Sequence, residues 1–291
     1  MTESRNSAVL AVDGGGTRCR VACDMEGAVH SVETGPANVS SDFEGAIKQI
    51  NIGFERLAKS VGCRTDDMLH WPSFVGLAGV TDAGIASRLR VSLGLAQARI
   101  KDDRPAALRG ALGAQDGLIA HCGTGSFLAA QMDGEMRFAG GWGPVLGDEA
   151  SAQWVGRRAL TESLNVMDGV EEETGLTRKL LDRFDGTAGI VGFAGTATPD
   201  QFGALAPEVT ASARENDAIA KRIMQAGGDY IASMAAKLGW RPDQAFCLTG
   251  GIASHYADYL PPEMQSAVLA PLAEPLVGAL ELAKEIQHEH N

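Results

Sequence analysis

Short apolar runs alternate with longer amphipathic stretches along the first hundred residues. Residues 8–12 and 74–78 are continuous apolar runs that end at glycine or polar residues, which predicts buried strands. Between them, apolar positions recur with helical spacing over residues 43–61, after a cap at Ser40 or Ser41. Strands and helices in alternation indicate an α/β protein whose sheet has at least some parallel pairing.

A strand, a glycine turn and a returning strand occupy residues 8–23, and the same pattern recurs at residues 118–130. A pattern that recurs in this way indicates an internal structural repeat. We therefore predict two similar domains, residues 1–114 and 115–291, whose glycine turns face a cleft, a common place for a ligand. His121, within the second pattern, is interpreted as a core or strand-edge histidine rather than a base.

The first glycine turn, Asp13-Gly14-Gly15-Gly16-Thr17, has the composition of a phosphate site. Consecutive glycines can adopt a positive φ and let the backbone approach a ligand, and their N–H groups can converge on an anion. Thr17 adds a hydroxyl donor, whereas Asp13 would repel a phosphate unless Mg²⁺ or its water lies between them. The turn therefore indicates a nucleotide with a metal, and a plain hairpin turn is the open alternative. Its spacing fits neither a P-loop nor a dinucleotide-binding fingerprint.

Composition limits the partners of the chain. It has 25 Lys and Arg against 37 Asp and Glu, a net charge of −12, and no basic stretch, which disfavours binding to nucleic acid or to an anionic membrane. No apolar run reaches the roughly 18 residues of a membrane span. Apolar residues make up 45% of the chain, enough for a sizeable core. Five scattered cysteines and the lack of a signal-peptide pattern indicate a reducing cytoplasm.

Five short motifs lie in order along the chain, at residues 13–17, 123–126, 140–143, 147–151 and 249–251. Together they resemble the motifs of the sugar kinase, actin and Hsp70 ATPase superfamily. Within it, the chain is similar to the branch that holds N-acetylglucosamine kinases, bacterial glucosamine kinases and the activator ATPases of benzoyl-CoA reductases. Each motif is weak alone, but five in the family's order span nearly the whole chain.

The resemblance implies two actin-like (ribonuclease H-like) domains with mixed sheets that flank a central cleft, and a final helix, residues 274–291, that returns to the N-terminal domain. It implies ATP- and Mg²⁺-dependent phosphorylation of an amino-hexose, N-acetylglucosamine or glucosamine, and it allows a homodimer. Two other functions stay open. One is an activator ATPase, which needs cysteine ligands for an iron–sulfur cluster. The other is a nucleotide-dependent binding protein without transfer chemistry.

For the nucleotide, the resemblance places the β- and γ-phosphates on the first turn, with Asp13 reaching Mg²⁺ through water. It places phosphate also on the second turn, and it places the adenosine against the backbone after the last long strand. The cofactor-binding residues implied in this way are Asp13, Gly14, Gly15, Gly16, Thr17, Gly123, Thr124, Gly125, Ser126, Gly203, Gly250 and Gly251.

For the sugar, the resemblance implies binding by Asn38, Trp142 and Asp148, and it assigns Asp103 as the base that accepts the hydroxyl proton. Each has a plain structural alternative: a turn residue for Asn38, a buried plug for Trp142, and a helix cap for Asp148 and Asp103. Adjacent residues of an extended segment point in opposite directions, so Asp102 or Asp103 faces the sugar, and the resemblance selects Asp103.

Overall fold

The computed structural model describes residues 8–289, which form two compact units. The first unit comprises residues 8–114 and 272–289, and the second comprises residues 115–271. Each unit carries helices and one five-stranded sheet. Over residues 8–289, no helix combines the length and the apolar character needed to cross a membrane.

The sheet of the first unit is mixed. Its strands are β1 (Ala8–Gly14), β2 (Cys19–Met25), β3 (Ala28–Thr34), β4 (Ser73–Leu77) and β5 (Ala98–Lys101). Adjacent strands follow the order β3-β2-β1-β4-β5. The pairs β1–β2 and β2–β3 are antiparallel, whereas β1–β4 and β4–β5 are parallel. The carboxyl ends of β1, β4 and β5 therefore lie at the same edge of the sheet.

The helices of the first unit come from both parts of the chain. They are α1 (Phe43–Val61), α2 (Thr65–Met68), α3 (Ala83–Ser92), α4 (Arg104–Leu112) and α13 (Pro275–Glu289). Helix α1 is capped by Asp42, whose carboxylate accepts the Gly45 N–H, and not by Ser40 or Ser41 as predicted. The hydroxyls of Ser40 and Ser41 donate to Asn38 instead, to its amide oxygen and to its carbonyl oxygen.

Helix α13 packs against α4 and β1 at short range. A Cβ on Gly278 of α13 would lie 2.1 Å from the carbonyl oxygen of Ala106 in α4. A Cβ on Gly110 of α4 would lie 2.5 Å from the carbonyl oxygen of Glu274. Three ion pairs also join α13 to the rest of the unit: Arg99–Glu289 at 2.7 Å, Arg109–Glu285 at 2.5 Å and Lys284–Asp24 at 2.9 Å. The last helix is therefore an integral part of the first unit.

The sheet of the second unit repeats the connectivity of the first. Its strands are β6 (Gly117–Cys122), β7 (Ser126–Met132), β8 (Glu135–Gly140), β9 (Ala245–Thr249) and β10 (Val268–Leu269). They follow the order β10-β9-β6-β7-β8, with β6–β7 and β7–β8 antiparallel and β6–β9 and β9–β10 parallel. The predicted α/β class, with two mixed sheets that each begin with a hairpin, is confirmed.

The remaining helices belong to the second unit. They are α5 (Gly143–Leu146), α6 (Ala152–Met167), α7 (Gly175–Arg183), α8 (Thr187–Ala194), α9 (Pro199–Gly203), α10 (Ala206–Arg214), α11 (Ala218–Leu238) and α12 (Pro262–Ala267), with a 3₁₀ helix at Ala253–Tyr259. On one face of the sheet, Leu118, Ala120 and Cys122 of β6 join the apolar core that these helices cover. Because side chains alternate along a strand, His121 lies on the opposite face.

Candidate functional site

The first glycine turn links β1 to β2. Gly14, Gly15 and Gly16 have no positive φ, so the turn does not use the left-handed backbone that glycine allows. A Cβ on Gly14 would lie 2.5 Å from Leu77 Cδ2, so packing requires this glycine. A Cβ on Gly15 or Gly16 would meet no protein atom within 4 Å. The space beside the backbone of these two glycines is therefore open, as the close approach of a ligand would require.

Asp13, at the end of β1, belongs to an ion-pair network. Arg20 lies opposite it on β2 and donates to Asp13 Oδ2 at 2.7 Å. Arg20 also pairs with Glu274, just before α13. The side chains of Asp13 and Arg20 are only 16% and 15% exposed. Sequence reasoning missed Arg20, although the hairpin register places it directly across from Asp13.

The two aspartates that follow β5 have different surroundings. Asp102 pairs with Arg104, whose Nε lies 2.8 Å from Asp102 Oδ1, and it accepts the Arg104 backbone N–H at 3.0 Å. Asp103 occupies the N-cap position of α4 but makes no capping hydrogen bond through its side chain, so the helix-cap alternative is wrong. Burial, and then the charges of Asp102 and Asp13, raise the pKa of Asp103 to about 6. A carboxyl with such a pKa suits proton transfer near neutral pH.

Asn38 lies in a loop after β3 that is held against the first turn. The Ala37 N–H donates to the Gly15 carbonyl at 2.9 Å. Asn38 Oδ1 accepts hydrogen bonds from the N–H and the hydroxyl of Ser40, at 3.0 and 2.8 Å. The turn-residue interpretation is therefore correct for the amide oxygen. The amide nitrogen is the group of Asn38 that is left to meet a ligand.

The hydroxyls of the second glycine turn, between β6 and β7, are engaged within the protein. Ser126 Oγ donates to the carbonyl of Glu149 at 2.5 Å. Thr124 Oγ1 donates to Asp200 Oδ1 at 3.0 Å, a neighbour that sequence reasoning missed. Ser126 therefore holds the segment before α6 in place, and Asp200 connects the turn to the helix α9 that ends in Gly203.

Asp148 is 6% exposed and has left-handed backbone, with a φ of +62°. Burial raises the pKa of Asp148, and the nearby backbone N–H groups of Ser126 and Gly143 only partly offset this effect. The helix-cap alternative is wrong, since Ser151 caps α6. A non-glycine residue held in strained backbone is a feature that clusters at ligand sites.

Trp142 lies between β8 and α5 with 73% of its surface exposed, so the buried-plug alternative is wrong. Two apolar neighbours on α5, Val145 and Leu146, are even more exposed. The loop is anchored to the second turn, since the Gly141 N–H donates to the Ser126 carbonyl at 2.9 Å. An exposed indole on an anchored loop offers a flat apolar surface to a ligand.

The glycines assigned to the adenosine differ in their surroundings. Gly250 has a φ of +91°, and a Cβ there would lie 2.4 Å from the carbonyl oxygen of Cys122, so the fold itself requires it. A Cβ on Gly251 would meet nothing within 4 Å. A Cβ on Gly203 would make only ordinary contacts, the nearest at 3.5 Å. Gly251 is therefore the most open of the three to a ligand.

Within each unit, the predicted site residues lie close together, near strand ends or joined by backbone hydrogen bonds. In the first unit, the first turn, Asn38 and Asp103 lie near the carboxyl ends of β1, β4 and β5. In the second unit, the Trp142 loop is hydrogen-bonded to the second turn and the Asp148 carboxyl lies beside Gly125 of that turn. The backbone after Gly251 returns to Cys122, whose carbonyl accepts the Ile252 N–H at 3.1 Å. Each unit therefore contains one cluster.

The chemistry of the described side chains limits what metal they could hold. Among residues 8–289, no group of three or more His, Cys, Asp or Glu side chains could bind a metal by itself. Mg²⁺ usually keeps several waters and binds through one or two carboxylates together with substrate phosphates. Asp13, next to the open glycines of the first turn, fits such a site.

The cysteines do not resemble cluster ligands. All five are free, and Cys19, Cys23, Cys122 and Cys247 are buried. Burial raises the pKa of every one of these thiols, to about 12 for Cys19 and Cys122. Iron–sulfur clusters are held by thiolates, so the described thiols do not favour such a site.

Comparison with known proteins gives a consistent result. A model of the BadF/BadG/BcrA/BcrD ATPase family matches residues 10–283. The glucosamine kinase GspK of Vibrio cholerae serotype O1 is 25% identical over 283 residues, 96% of each chain. The N-acetyl-D-glucosamine kinase of Dictyostelium discoideum is 30% identical over 271 residues, 83% of this chain and 84% of that one. A crystal structure from Chromobacterium violaceum, of a protein assigned as an N-acetylglucosamine kinase, has a TM-score of 0.82 at 30% identity and covers 95% of this chain and 98% of that one.

Proposed function

This chain belongs to the BadF/BadG/BcrA/BcrD ATPase family, and on that premise we propose that it transfers the γ-phosphoryl group of ATP to a hydroxyl of an amino-hexose. The relatives that cover most of its length carry the names of glucosamine and N-acetylglucosamine kinases, which supports this substrate class. N-acetylglucosamine and glucosamine are the leading candidates.

The observation that best supports a phosphoryl transfer is that Asp103 has no capping role and has a raised pKa. Of the two aspartates after β5, Asp102 is ion-paired with Arg104, whereas Asp103 makes no side-chain capping bond to α4 and feels the charge of Arg104 only weakly compared with its own burial. Burial raises the pKa of Asp103 to about 6. A protein that only bound nucleotide would have no use for a proton acceptor of this kind.

In the reaction, the Asp103 carboxylate orients the attacking sugar hydroxyl and accepts its proton. The hydroxyl oxygen forms a bond to the γ-phosphorus while the bond from that phosphorus to the β–γ bridging oxygen breaks. ADP leaves with the bridging oxygen, and the sugar leaves as its phosphate ester. Mg²⁺, when bound with the nucleotide, offsets the charge of the phosphates, and Asp13 would hold it through water.

For the nucleotide, we assign the β- and γ-phosphates to the first turn, where Gly15 and Gly16 leave room beside the backbone. Phosphate also contacts the second turn, where Ser126 acts as a support because its hydroxyl donates to the Glu149 carbonyl. The adenosine lies beside Gly251, with Gly250 shaping the strand end. Gly203, on the helix bonded to Thr124 through Asp200, lines the same side.

For the sugar, the amide nitrogen of Asn38 donates to a hydroxyl or to the N-acetyl oxygen, since its amide oxygen is satisfied by Ser40. Trp142 offers its exposed indole to the apolar face of the ring. The buried carboxylate of Asp148 accepts from a sugar hydroxyl.

The two alternative functions are less well supported. An activator ATPase needs thiolate ligands for a cluster, and the described cysteines have raised pKa values and lie mostly in the core. It also gives Trp142 and Asp103 no role. A homodimer and a reducing cytoplasm stay predictions. Light scattering checks the first, and the five free thiols agree with the second.

The test is a screen for ADP release with Mg-ATP and, in turn, glucosamine, N-acetylglucosamine, N-acetylmannosamine and glucose. We expect sugar-dependent release with at least one of the first two, and its loss in Asp103→Asn. Turnover of glucose equal to that of both would refute the amino-sugar assignment. If no sugar accepts phosphate although ATP binds, the protein is a binding protein and not a kinase.

A further inference from the structure

His121 is a largely buried titratable residue that the proposed reaction does not use. It is the last but one residue of β6 and lies opposite Phe127 on β7 and opposite Thr249 on β9. The second glycine turn begins two residues after His121, and Gly250 follows Thr249. The strand register therefore places the imidazole between the two glycine motifs of the second unit, on the face away from its helical core.

The contacts of His121 fix its ring. The imidazole stacks on Phe127, with the centroids 4.9 Å apart and the planes 19° from parallel. Its Nδ1 lies 3.1 Å from Thr249 Oγ1. Its Nε2 lies beside the turn, 3.3 Å from where a Cβ on Gly123 would be. Burial lowers the pKa of His121 to about 4, so the ring is neutral near pH 7 with one N–H donor and one acceptor.

We propose that His121 is a phosphate-binding residue of the second turn, with the Thr249 hydroxyl donating to Nδ1 so that Nε2 carries the proton and donates it to a phosphate oxygen of the nucleotide. This inference rests on the proposed function. It goes beyond it by giving the second turn a side-chain donor outside the glycine motif.

The side chains of the turn itself supply no such donor. The Thr124 hydroxyl donates to Asp200, and the Ser126 hydroxyl donates to the Glu149 carbonyl. The chain has a net charge of −12 and no basic stretch that could supply a cation in their place. A neutral imidazole held by stacking and by a second hydrogen bond can donate without first being ordered, which favours binding.

The experiment measures the binding of ADP and of adenosine by calorimetry in one Mg²⁺-containing buffer. His121→Phe keeps a ring on Phe127 but removes both nitrogens, and His121→Gln restores an N–H donor. His30→Phe, on the exposed strand β3, is the matched control. Adenosine lacks phosphate, so it reports general damage to the nucleotide site. Melting temperatures establish that each variant is folded.

We expect His121→Phe to weaken ADP binding about 10- to 100-fold, the usual effect of losing a hydrogen bond to a charged group. Adenosine binding should stay unchanged, His121→Gln should recover part of the loss, and His30→Phe should bind both ligands normally. If His121→Phe does not fold, Thr249→Val serves instead, because it removes the hydroxyl that sets the tautomer, and a loss confined to ADP is again expected.

Equal ADP affinity in wild type and His121→Phe, or equal losses for ADP and adenosine, would overturn this inference and leave the proposed kinase function intact. A wild-type protein that bound no ADP would overturn both. A change in the KM for the sugar with normal ADP binding would place Nε2 on the sugar side of the site and would also overturn it.

Discussion

At the scale of single residues, Asp102 and Asp103 offer a matched pair of substitutions. We expect Asp103→Asn to lower kcat by about 10²–10⁴-fold, the usual contribution of a positioned base. Asp102→Asn should lower it by less than about tenfold, because Asp102 is engaged with Arg104. Steady-state kinetics on both variants, with melting temperatures, decide the point. A folded Asp103→Asn enzyme with nearly normal kcat would remove Asp103 from the mechanism.

The raised pKa of Asp103 also predicts how activity depends on pH. Because the base must be ionised, kcat/KM should fall as the pH drops below about 6. Asp103→Asn should remove this limb from whatever residual activity it retains. A pH profile without a limb between about pH 5 and 7 would mean that the proton goes elsewhere.

The raised pKa of Asp103 also predicts how the free energy of unfolding changes with pH. Its value is raised on folding from 3.8 to about 6, so the native state binds this proton more tightly than the unfolded chain. The ionised group therefore lowers the free energy of unfolding as the pH rises from about 4 to 6. Asp103→Asn should be more stabilising near pH 8 than near pH 4, as measured by denaturant unfolding. If Asp103 were only a helix cap, Asp103→Asn would leave the free energy of unfolding nearly unchanged at both pH values, because Asn caps a helix about as well as Asp.

At the scale of elements, glycines in the turns differ in why they are needed: Gly16 leaves room for a ligand, whereas Gly250 is required by the fold. Gly16→Ala should leave the free energy of unfolding within about 0.5 kcal/mol, because the new Cβ meets no protein atom. It should weaken ADP binding by about tenfold or more, through a clash with the phosphates. Gly250→Ala should cost about 1–3 kcal/mol of stability, since its φ is +91° and its Cβ would clash with Cys122.

Calorimetric binding of ADP and denaturant unfolding measure both effects. If Gly16→Ala bound ADP as tightly as the wild-type protein, the first turn would not contact the phosphates. If Gly250→Ala were as stable as wild type, the backbone at that strand end would be less constrained than its packing indicates.

The elements that could be predicted from the sequence are those with a strong periodic pattern. The two hairpins, β4, β9 and the long helix α11 are apolar runs or amphipathic stretches with clear ends. The cap of α1 was misplaced because Ser40, Ser41 and Asp42 are consecutive residues that are all good caps, and the sequence pattern alone does not show at which of them the helix begins. The short 3₁₀ helix and the two-residue β10 have no period to detect.

The residues of the candidate site likewise divide into those that the sequence predicts and those that it does not. The first turn was visible as a phosphate motif, whereas Asp103, Trp142 and Asp148 were assigned only through resemblance to a family. Partners such as Glu274 for Arg20, 254 residues away, and Asp200 for Thr124, 76 residues away, could not be predicted, because no local pattern links residues so far apart. Burial and its effect on the pKa of Asp103 likewise depend on the assembled fold.

At the scale of the whole molecule, the close contact between α4 and α13 predicts a test of how the first unit is built. Gly278→Ala should destabilise the protein by about 1–3 kcal/mol, because its Cβ would lie 2.1 Å from the Ala106 carbonyl. Gly192→Ala is the matched control, since it lies inside α8 and its Cβ would meet nothing.

The control should be neutral or stabilising by up to about 1 kcal/mol, as alanine favours a helix more than glycine does. Thermal unfolding of both variants measures the difference. Equal stability of Gly278→Ala and wild type would mean that α13 is not closely packed on α4.

The order of synthesis follows from the two-part composition of the first unit. Residues 272–289 leave the ribosome after the whole of the contiguous second unit, residues 115–271. Until then β1 and α4 lack the helix that covers them with Leu276, Leu280 and Ala283. Nascent domains usually fold from the N-terminus onward. Here the second unit can fold first, and the half that holds Asp103 and the first glycine turn is finished last.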